Sequence, residues 1–385
     1  ITSRFQSLGF HVLLFVVFLL PITFYLGKTG RVSFFPSYLI GLAVIALMGS
    51  NELRTTLRHC SMTLVAALSL ILYLAFTSQW QGMDLHSLGL YLGYAALIMT
   101  FLISISMLNL RFEYFISLFL IILVFSAVVS ASYSMFLFQT MDYRPLLDNR
   151  MSSIGALHNP VISSFSYGAA LIVATCYFAF CNDHGKRLIA LFAIVILFAG
   201  LVYSGTRSVW IGLFIAFLCM IYIHPSASPR AKGIFFLGLV TLILALSLLL
   251  WAMGDLAVIA NRSTSFRPEI WREVIAKMNM DHLALGYGVE SDSVVLYQSY
   301  TFDHPHSIYL ATLYYGGIVG LCGFIFLAGR VLFVQLTRPD SQLTPYIVPS
   351  LMFGLTCLLF DGNRLLDKIG VVWILIWMPI ALAIA

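Results

Sequence analysis

Long apolar runs alternate with short polar joints along this chain, and the run lengths decide its fold class. Runs lie near 9–27, 34–50, 61–78, 87–109, 114–138, 160–181, 188–204, 208–223, 234–253, 306–329, 344–361 and 369–385. A helix needs about 20 mostly apolar residues to cross a bilayer, whereas a barrel strand needs only about 10. Because the hydrocarbon core admits only helices or closed barrels, the pattern predicts an all-α, polytopic membrane bundle of about twelve transmembrane helices. Composition points the same way: 61% of residues are hydrophobic and 10% charged, against roughly 25% charged in soluble domains. No soluble segment or fixed-period repeat interrupts the runs, so residues 1–385 read as a single integral membrane domain. The first run lacks a small-residue cleavage site after it and reads as a retained helix.

One joint is different. The stretch 254–305 is far longer than the roughly 15 residues beyond which a loop is usually functional or disordered. Within it, Pro268 to Met278 carries apolar Ile270, Trp271, Val274, Ile275 and Met278 on one side and Glu269, Arg272, Glu273 and Lys277 on the other. That spacing predicts an amphipathic helix started by proline, lying on a membrane surface or over the bundle.

Charge sets the orientation. With both termini in the cytosol, the cytosolic side holds Arg4, Arg54, Arg58, Arg111, Lys186, Arg187, Arg230, Lys232, Arg330 and Arg338. The opposite short loops hold Lys28, Arg31, Arg144, Arg150, Arg207, Arg364 and Lys368, a smaller number, as the positive-inside rule favours. The base left on the outer face calls for an anionic substrate there. The six cysteines form no CxxC pair and sit in or beside apolar runs, which argues against a disulfide framework or a thiolate metal site.

Three places carry candidate chemistry. The first is Asp303-His304-Pro305-His306-Ser307, where the long loop enters the tenth run. A histidine at the water–membrane boundary can accept a proton from a hydroxyl. The competing readings are an interfacial histidine bonded to backbone, and a metal held by His304, His306 and Asp303, which would need a further convergent ligand. The second is Ser204-Gly205-Thr206-Arg207-Ser208, a turn between two runs with one charge. Arg207 either grips an anion, pairs with a distant carboxylate such as Asp361, or snorkels to headgroups. The third is Arg267 at the start of the loop helix, where the helix dipole also favours anions; Arg272 lies one turn on. Gly286 and Gly288 allow close backbone approach, to a ligand or within a plain turn.

His306-Ser307, nine residues, Gly317, two residues, Gly320 resembles the H-[NSQ]-x9-G-x2-[GTY] pattern of the bacterial O-antigen ligases, and His304 completes the H-x-H-[NS] form of their relatives. Thr206-Arg207-Ser208 is similar to the family's arginine between adjacent spans, and Arg267 with Trp271 to the R-x3-[WY] arginine of its large loop. The chain is therefore identified as a member of the superfamily that also holds Wzy-type polymerases and protein O-oligosaccharyltransferases. The resemblance implies a GT-C-like bundle in the bacterial inner membrane, with the 254–305 loop and active site facing the periplasm. It implies inverting, metal-independent and cofactor-free transfer of an O-antigen glycan from undecaprenyl diphosphate to a sugar hydroxyl of lipid A–core. His306, Arg207 and Arg267 are the expected catalytic residues; Arg207, Arg267, Arg272, His304, Gly286 and Gly288 are the expected substrate-binding residues. Membrane lipids surround the bundle and nucleic acid is not an expected partner. A polymerase is the nearest rival; a polysaccharide or lipid transporter is the rival from another class, although no inverted repeat or paired broken helices are visible.

Overall fold

In the computed structural model the described residues are 2–27, 34–48, 50–59, 61–82, 84–140, 150–154, 157–223, 266–297, 300–337 and 343–385, with scattered positions between 232 and 244. The ninth run (234–253) falls largely outside them, as do 254–265, Lys28, Arg31, Arg144, Arg230 and Arg338. The order is α1 Thr2–Leu26, α2 Phe34–Ala46, α3 Asn51–His59, α4 Ser61–Phe76, α5 Leu85–Arg111, α6 Phe115–Thr140, α7 Pro160–Phe180, α8 His184–Ser204, α9 Arg207–Ile223, α10 Arg267–Lys277, α11 Met280–Leu283, β1 Val295–Tyr297, β2 Tyr300–Phe302, α12 Ile308–Thr337, α13 Thr344–Phe360 and α14 Met378–Ile384, the last preceded by a π-helical turn Trp373–Trp377.

Seven described helices are long and apolar enough to cross a membrane, or eight if the bent pair α2–α3 is one span; α9, α13 and the last helix are apolar but shorter. The chain is thus an all-α, multi-pass membrane protein, and the count of about twelve is not fixed by the described residues. Helix α7 lies deepest, with most of its length buried. Small residues let its neighbours close in: Gly168 packs against Phe353 and Val209, and Gly212 of α9 against Phe353 and Cys357. With lipid as apolar as leucine, such close packing and interhelical hydrogen bonds hold a bundle together. Tyr167 of α7 donates to Ser153 at 2.6 Å, and Ser130 of α6 lies 2.9 Å from the same hydroxyl. The five described cysteines are free.

The long loop folds onto the bundle. Its predicted helix appears as α10, with Ile270 and Val274 at 0% and 1% exposure. Ile275, expected on the same face, is 58% exposed, so the buried stripe is narrower than the sequence suggested. The antiparallel ribbon β1–β2, with Leu296 opposite Thr301, was not anticipated.

Gly286 and Gly288 take φ of +77° and +91° and run against the kink of α12. There the amides of Tyr287 and Gly288 donate to the carbonyls of Tyr314 and Tyr315, at 2.9 and 2.8 Å. Gly317 has φ +62° inside α12, and a Cβ on it would strike the Ala284 carbonyl. The glycine of the histidine motif therefore has a physical reason: only a residue tolerating left-handed backbone lets loop and helix meet.

Candidate functional site

The histidine motif occupies the last bend of the loop before α12. Trp271 of α10 donates its indole N–H to the Pro305 carbonyl at 3.0 Å, so the loop helix fixes the residue between the two histidines. His306 adopts φ +51°, an uncommon conformation for a side chain of this size and one that clusters at functional sites. The His304 and His306 rings lie 4.0 Å apart, centroid to centroid.

Both face Asp361, the residue that ends α13. His306 Nδ1 is 3.1 Å from Asp361 Oδ1, and His304 Nε2 is 3.6 Å from the same oxygen. The Gly362 amide also donates to it at 2.8 Å. Burial alone would raise the Asp361 carboxyl, but the hydrogen bonds and charge of His304 and His306 outweigh it and hold the group well below the usual carboxylate range. An ionised carboxylate only accepts, so the contact puts a proton on His306 Nδ1, and in the neutral imidazole Nε2 is then the acceptor. This is the arrangement a general base requires.

Arg267, the first residue of α10, is electrostatically coupled to this group. Burial lowers its pKa from the ordinary guanidinium value, Asp361 pushes it back up, and the like charge of Arg207 lowers it again. Arg207, sixty positions away and exposed at the start of α9, therefore belongs to the same electrostatic neighbourhood. Its turn is rigidly held. Gly205 closes α8 with φ +60°, and Arg150 donates to the Ser204 carbonyl and to the Thr206 hydroxyl, each at 2.7 Å.

A cavity of about 520 Å³ opens beside the histidines, lined by His304, His306 and Asp361, by the segment 362–373, and by residues of α1 and α7. Arg207 and Arg267 do not line it, nor do Arg272, Gly286 or Gly288. Arg272 is exposed further along α10, and the close approach made by the two glycines is to the protein's own backbone. The residue whose role sequence reasoning did not reach is Asp361, weighed there as a partner for Arg207 and found here as the histidines' acceptor. Its one local signal is a lone carboxylate at the end of an apolar run.

His304, His306 and Asp361 also bring three ligand atoms within 4.8 Å of one another, a donor set able to hold a divalent ion. Asp303, considered for that role in the sequence, is not in the group.

The His–His–Asp group and the two arginines whose charges reach it bring a proton acceptor and cationic groups to one part of a multi-pass membrane bundle. Residues 192–325 match the family model Wzy_C, described as O-antigen ligase. An O-antigen ligase of Pseudomonas aeruginosa is 29% identical over 263 residues, covering 67% of this chain and 61% of that protein. The two matches agree in relating the chain to O-antigen ligases, and the chain spans about three fifths of that relative's length. The matched stretch contains Arg207, Arg267, His304, His306 and Gly317; Asp361 lies beyond it.

Proposed function

We propose that this protein is a glycosyltransferase of the inner membrane, moving an O-antigen glycan from undecaprenyl diphosphate to a sugar hydroxyl of lipid A–core at the periplasmic face. The observation that carries the reading is the His306–Asp361 pair set beside Arg207 and Arg267. Breaking the bond at the anomeric carbon leaves a diphosphate whose charge grows as it departs. Two guanidinium groups held near one another stabilise that charge, and each can bind phosphate oxygens at two points. The attacking hydroxyl gives its proton to His306 Nε2 as its oxygen bonds to the anomeric carbon, while the electron pair of the broken C–O bond leaves with the diphosphate. Asp361 receives the Nδ1–H throughout and stabilises the imidazolium that forms, the division of labour seen wherever a histidine base is backed by a carboxylate. No step calls for a metal or cofactor.

A strain lacking this protein decides the matter. Lipopolysaccharide should lose all O-antigen from lipid A–core while lipid-linked polymer accumulates. Core bearing a single repeat would identify a polymerase instead.

Topology provides a second test. A cysteine placed near position 295, beside the exposed Leu296, should react with an impermeant reagent added to cells with a permeabilised outer membrane. Protection of that site in a well-folded variant would place the loop on the cytosolic side and remove the periplasmic mechanism.

A further inference from the structure

Only Gly205 and Thr206 separate the end of α8 from the start of α9, and so tight a joint leaves the last carbonyls of α8 without partners inside the helix. The segment 150–154, which precedes α7, supplies those partners. The Met151 amide donates to the Tyr203 carbonyl at 3.0 Å, and Arg150 Nε donates to the Ser204 carbonyl at 2.7 Å. A cation there also suits the negative end of the α8 dipole. The same guanidinium reaches across the turn, where a terminal nitrogen donates to the Thr206 hydroxyl, again at 2.7 Å. That hydroxyl in turn donates to the carbonyl of Pro160, the first residue of α7, at 3.3 Å. Ser204 and Thr206 are 0% and 3% exposed, so water is not at hand to replace these bonds. Between them lies Gly205, where a Cβ would meet Arg150 Nε at 3.6 Å. The arginine side chain lies across the turn.

The segment that carries Arg150 is itself anchored in the bundle. Ser153 belongs to a buried hydroxyl cluster with Ser130 and Ser134 of α6 and Tyr167 of α7, at 2.9, 3.2 and 2.6 Å. The Ile154 amide donates to the Ser134 hydroxyl as well. Arg150 is therefore tied through its backbone to α6 and α7, and its head holds the two residues that flank Gly205. Arginine suits this task because its planar fork presents two donors at a fixed angle, whereas lysine offers a single point. Arg207 follows Thr206 directly. We propose, resting on the transferase reading above, that Arg150 is a positioning residue: it fixes the α8–α9 turn so that Arg207 meets the donor diphosphate in the right orientation. Its effect passes through Arg207. The rival reading makes Arg150 a third cation on the diphosphate itself. Its bonds to Ser204 and Thr206, directed into buried protein groups, favour the brace.

The test uses the full-length purified protein in detergent and reads local structure, binding and turnover separately. Amide hydrogen exchange comes first. In Arg150→Ala the amides of residues 205–208 should exchange at least about tenfold faster than in the parent, with those of α10 unchanged. Unchanged exchange across the turn would overturn the proposal. Kinetics then asks which group Arg150 acts through. Because a displacement of about 1 Å can cost about 10²-fold in rate, Arg150→Ala should lower kcat/KM by about 10–10²-fold and weaken binding of undecaprenyl diphosphate. Added to Arg207→Ala, the same change should cost less than about twofold more. Losses that multiply in the double variant would make Arg150 an independent substrate contact or a general support of the fold, and either result overturns the proposal. Thr206→Val keeps the shape and removes the hydroxyl, so it serves even if Arg150→Ala does not fold. It should reproduce a loss of about tenfold, while Thr206→Ser keeps at least about half the parental rate. Equal activity in the two Thr206 variants would remove the hydroxyl relay and the proposal with it. A parent that neither binds undecaprenyl diphosphate nor transfers glycan, with exchange at the turn responding as expected, would strike the transferase reading and leave the brace standing.

Discussion

Replacing His306 with alanine is expected to slow glycan transfer by about 10²–10⁴-fold, the contribution of a well-placed general base, while protein level and donor binding hold. The site explains the size of the effect. His306 is the histidine whose Nδ1 lies within hydrogen-bond distance of the Asp361 carboxylate, which leaves Nε2 as an acceptor. Asp361→Asn should cost a comparable factor, about 10²-fold or more. The amide brings no charge to stabilise the imidazolium, and if it turns its NH2 toward Nδ1 it fixes the tautomer that cannot accept a proton. His304→Ala should cost less, because His304 sits at 3.6 Å from the same oxygen and supports the carboxylate rather than taking the proton. Chelators separate the base from the metal reading that the same three side chains permit. Activity of the purified protein should be unchanged after chelation and dialysis. Loss on chelation with recovery on adding zinc would make His304, His306 and Asp361 ligands and remove the base mechanism.

What was legible in the sequence follows from how local each signal is. The apolar runs are read one residue after another, so the membrane bundle emerges from α1 to the last helix without tertiary information. Arg207 and Arg267 stand out because each is a charge at the end of an apolar or amphipathic helix, and His306 because of its position at the loop's re-entry. Asp361 is different. Its meaning depends on α13 ending beside the histidine bend, 55 residues away in sequence, and no periodicity records that meeting. The glycines were half legible. Positive φ at Gly286 and Gly288 is what such residues allow, but the partner is the backbone of α12, fixed by a second unusual glycine, Gly317. The three-residue strands β1 and β2 are too short for a period of two to register.

The arginines should fail differently from the histidine. Arg207 and Arg267 come from separate helices, yet the charge of one depresses the pKa of the other. Two like charges brought into one electrostatic neighbourhood repel, and an anionic substrate bound between them would lower that repulsion. A diphosphate fits, since each guanidinium offers a planar, two-point grip that the single ammonium of lysine lacks. Arg207→Lys and Arg267→Lys should therefore each lower kcat/KM by about 10-fold or more, despite conserving charge, and the alanine variants by about 10²–10³-fold, the range found when one donor to a developing anion is removed. The alanine variants should also bind the lipid diphosphate more weakly, whereas His306→Ala should not. Steady-state kinetics beside a direct donor-binding measurement distinguishes the two classes. If Arg207 only reached for headgroups, lysine would serve nearly as well. Near-normal activity in both lysine variants would defeat the shared diphosphate site, because a grip that tolerates a point charge at both positions does not depend on the geometry that brings them together.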